Sequence, residues 1–184
     1  MNSKERLIQA ARDQLIEVGE AGSSVKAIAR RAGVNHGLVH HYFGSKEHLW
    51  VAVLDKEERE IREELDGAIE EASEDFLRKF YLPNLIGNPH RMRLIIEFFA
   101  VAKKYDSAAK ALGNLFRLRR ETFGRLFNLD DPATPLLVLG AFLGMALQSH
   151  MDPELEIAPA AEQLLKLITS QSKADQASKN RQTH

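Results

Sequence analysis

The stretch from Val25 to Leu49, VKAIARRAGVNHGLVHHYFGSKEHL, constrains this chain more than any other. Ser23 or Ser24 can cap a short helix whose apolar face is Val25, Ile28, Ala29 and Ala32. Gly33 breaks that pattern. Asn35 can cap a second short helix carrying His36 to Tyr42, Gly44 ends it, and Ser45 can cap a longer one. Helices this short do not persist alone in water, so both need packing partners on either side. The flanking sequence supplies them. Leu7, Ile8, Ala11, Leu15 and Val18 recur at helical spacing behind a capping Ser3, and Gly19 and Gly22 end that helix. Lys46 to about Ala72 contains no proline. Two short helices about a tight turn, clamped by two longer ones, form the layout of a helix-turn-helix.

The side chains of the second short helix divide into two sets. Val34, Leu38 and Phe43, with Val39 in part, are expected to anchor it. Asn35, His36, His40 and His41 fall towards the opposite side, where their polar edges can hydrogen-bond bases or phosphates. Gly37 permits close backbone approach. The ammonium of Lys46 and the free N–H groups beside it form an anion site suited to a phosphate. His36 and His40 also have a metal-binding spacing, but no third ligand of the right reach accompanies them. We expect no metal and no cofactor.

Net charge is −1, which by itself argues against nucleic acid, but residues 1–50 hold seven basic against five acidic side chains and four histidines. The absence of cysteine excludes disulfides, thiolate metal sites and a cysteine nucleophile. No Gly-x-Ser-x-Gly, phosphate loop, HExxH or paired-carboxylate motif supports an enzyme. The first residues lack the apolar core of a secretory signal. The longest apolar run, Pro132 to Met151, is broken by prolines, glycines and polar positions. We therefore expect a cytoplasmic protein without a membrane partner.

Beyond residue 48 the pattern stays helical. The run KEEREIREELD reads as a solvated helix face with Glu–Arg pairs. Further helices are expected near Ser73–Ile86, Pro89–Lys104, Ser107–Phe127, Ala133–His150 and Ala158–Ser170, divided by Gly-Asn-Pro, Asp-Asp-Pro and Asp-Pro breaks. The fold class is all-α: an N-terminal three-helix domain over 1–47 and a helical domain over 48–171. A polar tail over 172–184 is expected to be disordered. PLLVLGAFLGMALQSHM is apolar almost all round and must be buried, and an intersubunit four-helix bundle would bury it.

The run Ile28-Ala29-Arg30-Arg31-Ala32-Gly33-Val34, then Gly37, then Tyr42-Phe43-Gly44-Ser45-Lys46-Glu47-His48-Leu49 closely resembles the N-terminal signature of TetR-family regulators. Lys4-Glu5-Arg6-Leu7-Ile8 and Ala10-Ala11, with Gly19, fit that family's first helix. The resemblance implies a homodimer that binds a double-stranded DNA operator, most simply a repressor of a palindrome released by a small apolar or amphipathic effector. It implies that Ser24, Lys26, Tyr42 and Lys46 hold phosphates, that Lys4 reaches the adjacent backbone, and that Asn35, His36, Gly37, His40 and His41 face the groove. Many relatives carry tyrosine where this chain has His40. An effector pocket would be lined by Phe80, Met92, Ile95, Phe99, Leu112, Phe116, Phe142 and Met145. A helical small-molecule carrier or enzyme, or a ligand-independent activator, is the competing expectation.

Overall fold

In the computed structural model, which describes residues 1–70, 89–127, 129 and 131–182, every regular element is a helix. They are α1 (Ser3–Gly22), α2 (Val25–Arg31), α3 (Gly37–Phe43), α4 (Lys46–Glu70), α5 (Pro89–Lys104), α6 (Asp106–Leu126), α7 (Ala133–Met151) and α8 (Ala158–Gln182). The helix expected over Ser73–Ile86, and with it Phe80, lies outside the described residues. α8 extends past its expected end at Ser170, to Gln182.

Local chemistry fixes most of the helix starts, with two corrections to the expected caps. The first helix is capped by Asn2, not Ser3. Asn2 Oδ1 accepts the Glu5 N–H at 2.9 Å and Glu5 Oε2 accepts the Asn2 N–H at 3.0 Å. A capping box needs an acceptor three residues on; Asn2 has Glu5 there, whereas Ser3 has Arg6, which cannot accept. Ser24 caps α2 by accepting the Ala27 N–H at 3.1 Å, and Ser45 does the same for His48 at 3.1 Å. The third start is shifted by one residue. His36 holds the capping position without a side-chain bond, while Asn35 Oδ1 accepts the Gly37 N–H at 2.8 Å in an Asx-type turn.

The chain forms two compact units. One comprises residues 1–64 and 93–116. Its core contains Leu7, Leu15, Ile28, Val39, Leu49, Trp50 and Val53, all with no exposed surface. α1 packs on α2 and α3, as the short helices require. Polar links tie the rest of the unit to this core. Arg12 of α1 pairs with Glu57, a carboxylate only 6% exposed on α4. Ser107 of α6 donates to Glu47 of α4, and Arg93 of α5 donates to the Glu17 carbonyl of α1 at 3.3 Å.

The other unit comprises residues 65–92 and 117–184. Phe123 stacks on Phe127 with centroids 6.0 Å apart and on Phe142 at 5.8 Å. Asp131 Oδ1 accepts the N–H groups of Ala133 and Thr134 at 2.9 and 2.8 Å and so closes the start of α7. One face of α7 is buried through Pro135, Val138, Leu139, Phe142 and Ala146. The opposite face exposes Leu136 (55%), Leu137 (71%), Leu147 (43%) and Met151 (69%). By length and composition α7 is apolar enough to cross a membrane, with a mean hydropathy of 1.3. Ala161, Leu165 and Ile168 of α8 are buried, at the three- and four-residue spacing of one helix face.

Candidate nucleic-acid interface

α3 is held from one side and bare on the other. Val39 is fully buried and Phe43 nearly so; they are one turn apart and share a face. The expected anchors Val34 and Leu38 are only half-buried, so Val39 carries the weight assigned to them. Leu38 lies about 100° round the helix from Val39, off the inward face. Val39 and Phe43, four residues apart, are the buried positions of α3. The turn into α3 is fixed by Gly33, whose φ of 63° is a left-handed conformation that glycine adopts without penalty.

Asn35, His36, Gly37, His40, His41 and Tyr42 are all exposed. Ser24 and Lys26 of α2 and Lys4 of α1 are exposed too. Lys4 Nζ lies 6.0 Å from the Phe43 ring centroid, which brings the start of α1 beside the end of α3. The His41 and Tyr42 rings meet edge to face with centroids 5.0 Å apart. Arg31 forks onto both oxygens of Glu17 and thereby ties α2 to α1. Its bond to Arg31 holds the Glu17 carboxyl below the usual range, and the same bond raises the guanidinium's value.

His40 is more constrained than its exposure suggests. Its Nδ1 lies 3.1 Å from the Gly44 carbonyl oxygen at the end of α3. A carbonyl can only accept, so Nδ1 carries the proton. Nε2 is then an acceptor in the neutral ring and becomes a donor only in the imidazolium.

Lys46 is not a free cation at the start of α4. Its ammonium donates to Glu20 Oε1 at 2.9 Å and to the Glu20 carbonyl at 3.2 Å, and lies 5.5 Å from the Trp50 ring centroid. Glu20 also accepts from Lys104 of α5 at 3.0 Å. Burial pushes the Glu20 carboxyl up, but the ammonium groups of Lys46 and Lys104 outweigh it and hold the carboxyl below its usual range. Sequence reading missed Glu20, because nothing local marks a carboxylate whose partners lie 26 and 84 residues away.

The residues expected to line an effector pocket are divided. Ile95, Phe99, Leu112 and Phe116 belong to the first unit, where Phe99 and Phe116 stack at 6.0 Å. Ile95 and Leu112 are buried there, whereas Phe99 is 56% exposed. Met92, Phe142 and Met145 belong to the second unit, with Met92 and Phe142 buried. Among the described residues, no cluster of three or more His, Cys, Asp or Glu side chains is placed to hold a metal.

Residues 7–53 match the family model described as "Bacterial regulatory proteins, tetR family". An HTH-type transcriptional repressor of Mycobacterium tuberculosis is 51% identical over 49 residues, covering 27% of this chain and 26% of the relative. The HTH-type transcriptional regulator BetI of Stenotrophomonas maltophilia is 36% identical over 131 residues, covering 68% of this chain and 63% of BetI. The chain thus aligns with about a quarter of the first relative's length and under two thirds of the second's. The crystal structure of a putative TetR-family regulator from Mesorhizobium loti has the same fold. It superposes with a TM-score of 0.71 at 19% identity, over 94% of this chain and 95% of that one. Residues 7–53 thus carry the N-terminal signature of the tetR family of bacterial regulatory proteins, on an all-helical fold shared with a solved putative TetR-family regulator.

Proposed function

We propose that the chain is a transcription regulator that represses by binding a palindromic operator as a homodimer and is released by a small apolar or amphipathic effector. The observation that carries the reading is α3. Asn35, His36, His40, His41 and Tyr42 form a bare polar surface, backed by the buried Val39 and Phe43. On this reading residues 1–47 read DNA, and residues 48–171 hold the effector and the partner copy. Two α3 helices in a two-fold dimer reach successive half-sites about 34–36 Å apart.

The exposed face of α7 supports self-association. Leu136, Leu137, Leu147 and Met151 lie with Gly140 and Gly144 on one side of the helix. A Cβ built on either glycine would meet nothing within 4 Å, so another backbone can approach closely there. A second copy of α7 would bury this stripe about a two-fold axis.

Selection of bound duplexes from random DNA, followed by fluorescence anisotropy on the winner, tests the function. We expect a palindromic site and an affinity that falls steeply with salt. Alanine at Asn35, His36 or His41 should relax specificity, while Lys26→Ala should weaken all sequences alike. Failure to enrich any sequence would refute the reading.

A further inference from the structure

We infer that the second unit carries a binding site for an amphipathic organic carboxylate in the cleft between the end of α6 and the start of α7. The cleft is open and measures about 680 Å³. That is the scale of a small-molecule site. One wall is a single face of α6: Arg117, Arg120, Gly124 and Arg125 recur at three-, four- and eight-residue offsets, which stack on a helix. The other wall is Leu129, Pro132 and Pro135. Guanidinium groups thus face an apolar surface across the gap.

Among the described residues, no carboxylate is paired with Arg120 or Arg125. Two acidic side chains also line the cleft. The Asp131 carboxylate accepts the Ala133 and Thr134 N–H groups, an arrangement that holds it ionised and commits it to the cap of α7. Glu121 is exposed and pairs with neither Arg120 nor Arg125. A planar fork of donors matches a carboxylate in two-point geometry, which an ammonium would not. The proline and leucine wall selects for an apolar body behind that head. Gly124 keeps the floor open. A Cβ there would sit at ordinary contact distance, 3.6 Å from Pro135, so alanine fits but a longer side chain must fill the cleft.

None of the described residues expected to line the effector pocket borders this cleft, so the inference stands apart from that expectation and from DNA binding. The test is isothermal titration of the full chain with 2-naphthoate, beside its neutral analogue 2-naphthalenemethanol. We expect saturable binding of the carboxylate only, weakening as salt is raised. Arg120→Gln/Arg125→Gln should lower affinity at least tenfold. Gly124→Leu should do the same by filling the cleft with every charge retained; leucine favours a helix over glycine, so this variant should fold. Circular dichroism checks both variants. No binding of naphthoate by the wild-type chain overturns the inference. So does equal binding of the alcohol, or binding unchanged in either folded variant.

Discussion

Replacing Gly19 by alanine tests how α1 ends. Gly19 sits inside α1 at φ 72° and ψ 179°, a backbone region that is essentially closed to other residues. Holding a side-chain-bearing residue there costs about 1–3 kcal/mol. A Cβ would also lie 2.9 Å from Glu97 Oε2, so that carboxylate has to move. In moving it releases the Glu20 N–H, which it accepts at 3.3 Å, at about 0.5–1.5 kcal/mol. Against this, alanine restricts the unfolded chain, which returns about 0.4–1 kcal/mol. The net loss is about 2 kcal/mol. Urea denaturation followed at Trp50 reads it cleanly, because this is the sole tryptophan and is fully buried in the first unit. Repeating the substitution in a Glu97→Ala background removes the collision and leaves the backbone term, about 1–2 kcal/mol. A loss below about 0.5 kcal/mol in both backgrounds would refute the kinked geometry and mean that α1 runs straight through Gly19.

Three further outcomes follow from the geometry. Glu20 titrates below its ordinary value of 4.5 in the folded chain, so its contribution is complete above that pH and is lost as pH falls further; Glu20→Gln should flatten stability against pH in that acid window, and an unchanged acid limb contradicts the pairing. Imidazole nitrogen resonances of the free protein should show neutral His40 protonated at Nδ1; a proton on Nε2 refutes the bond to Gly44. Leu137→Glu on the exposed face of α7 should shift sedimentation from dimer to monomer without loss of helix content, and a persistent dimer places the interface elsewhere.

How far the sequence could be read depended on the distance over which each feature is determined. The short helices of the N-terminal unit were legible because caps and breaks act within three or four residues: Ser24, Gly33 and Ser45 do what their types predict. The two misplaced caps are competitions between neighbours. Asn2 prevails over Ser3 through Glu5, and Asn35 bonds Gly37 from one residue outside the expected position. Leu38 and Val39 are apolar neighbours about 100° apart on the helix, and residue type alone does not say which of them turns inward. The packing of residues 93–116 with the N-terminal helices left no local trace. Glu97 against Gly19 and Lys104 against Glu20 are contacts across about 80 residues, and neither type nor spacing announces them.

Those long-range contacts change what Lys46 means. A phosphate arriving at the start of α4 meets an ammonium that Glu20 already holds. Drawing Lys46 away would normally strand a carboxylate that is only 12% exposed. Here Glu20 keeps a second cation, Lys104, at 3.0 Å, so the exchange leaves it paired. On the proposed reading of Lys46 as a phosphate contact, Lys104 lowers the cost of handing it to DNA although it lies on α5, far along the chain from α3. Lys104→Met should therefore weaken operator binding a few-fold, because Glu20 then grips Lys46 alone. Glu20→Gln should restore it, since the amide holds an ammonium less firmly than a carboxylate does. A general loss of positive charge would predict otherwise: Lys104→Met would weaken binding by the same factor with Glu20 or with glutamine at that position, and anisotropy on the four combinations distinguishes the two.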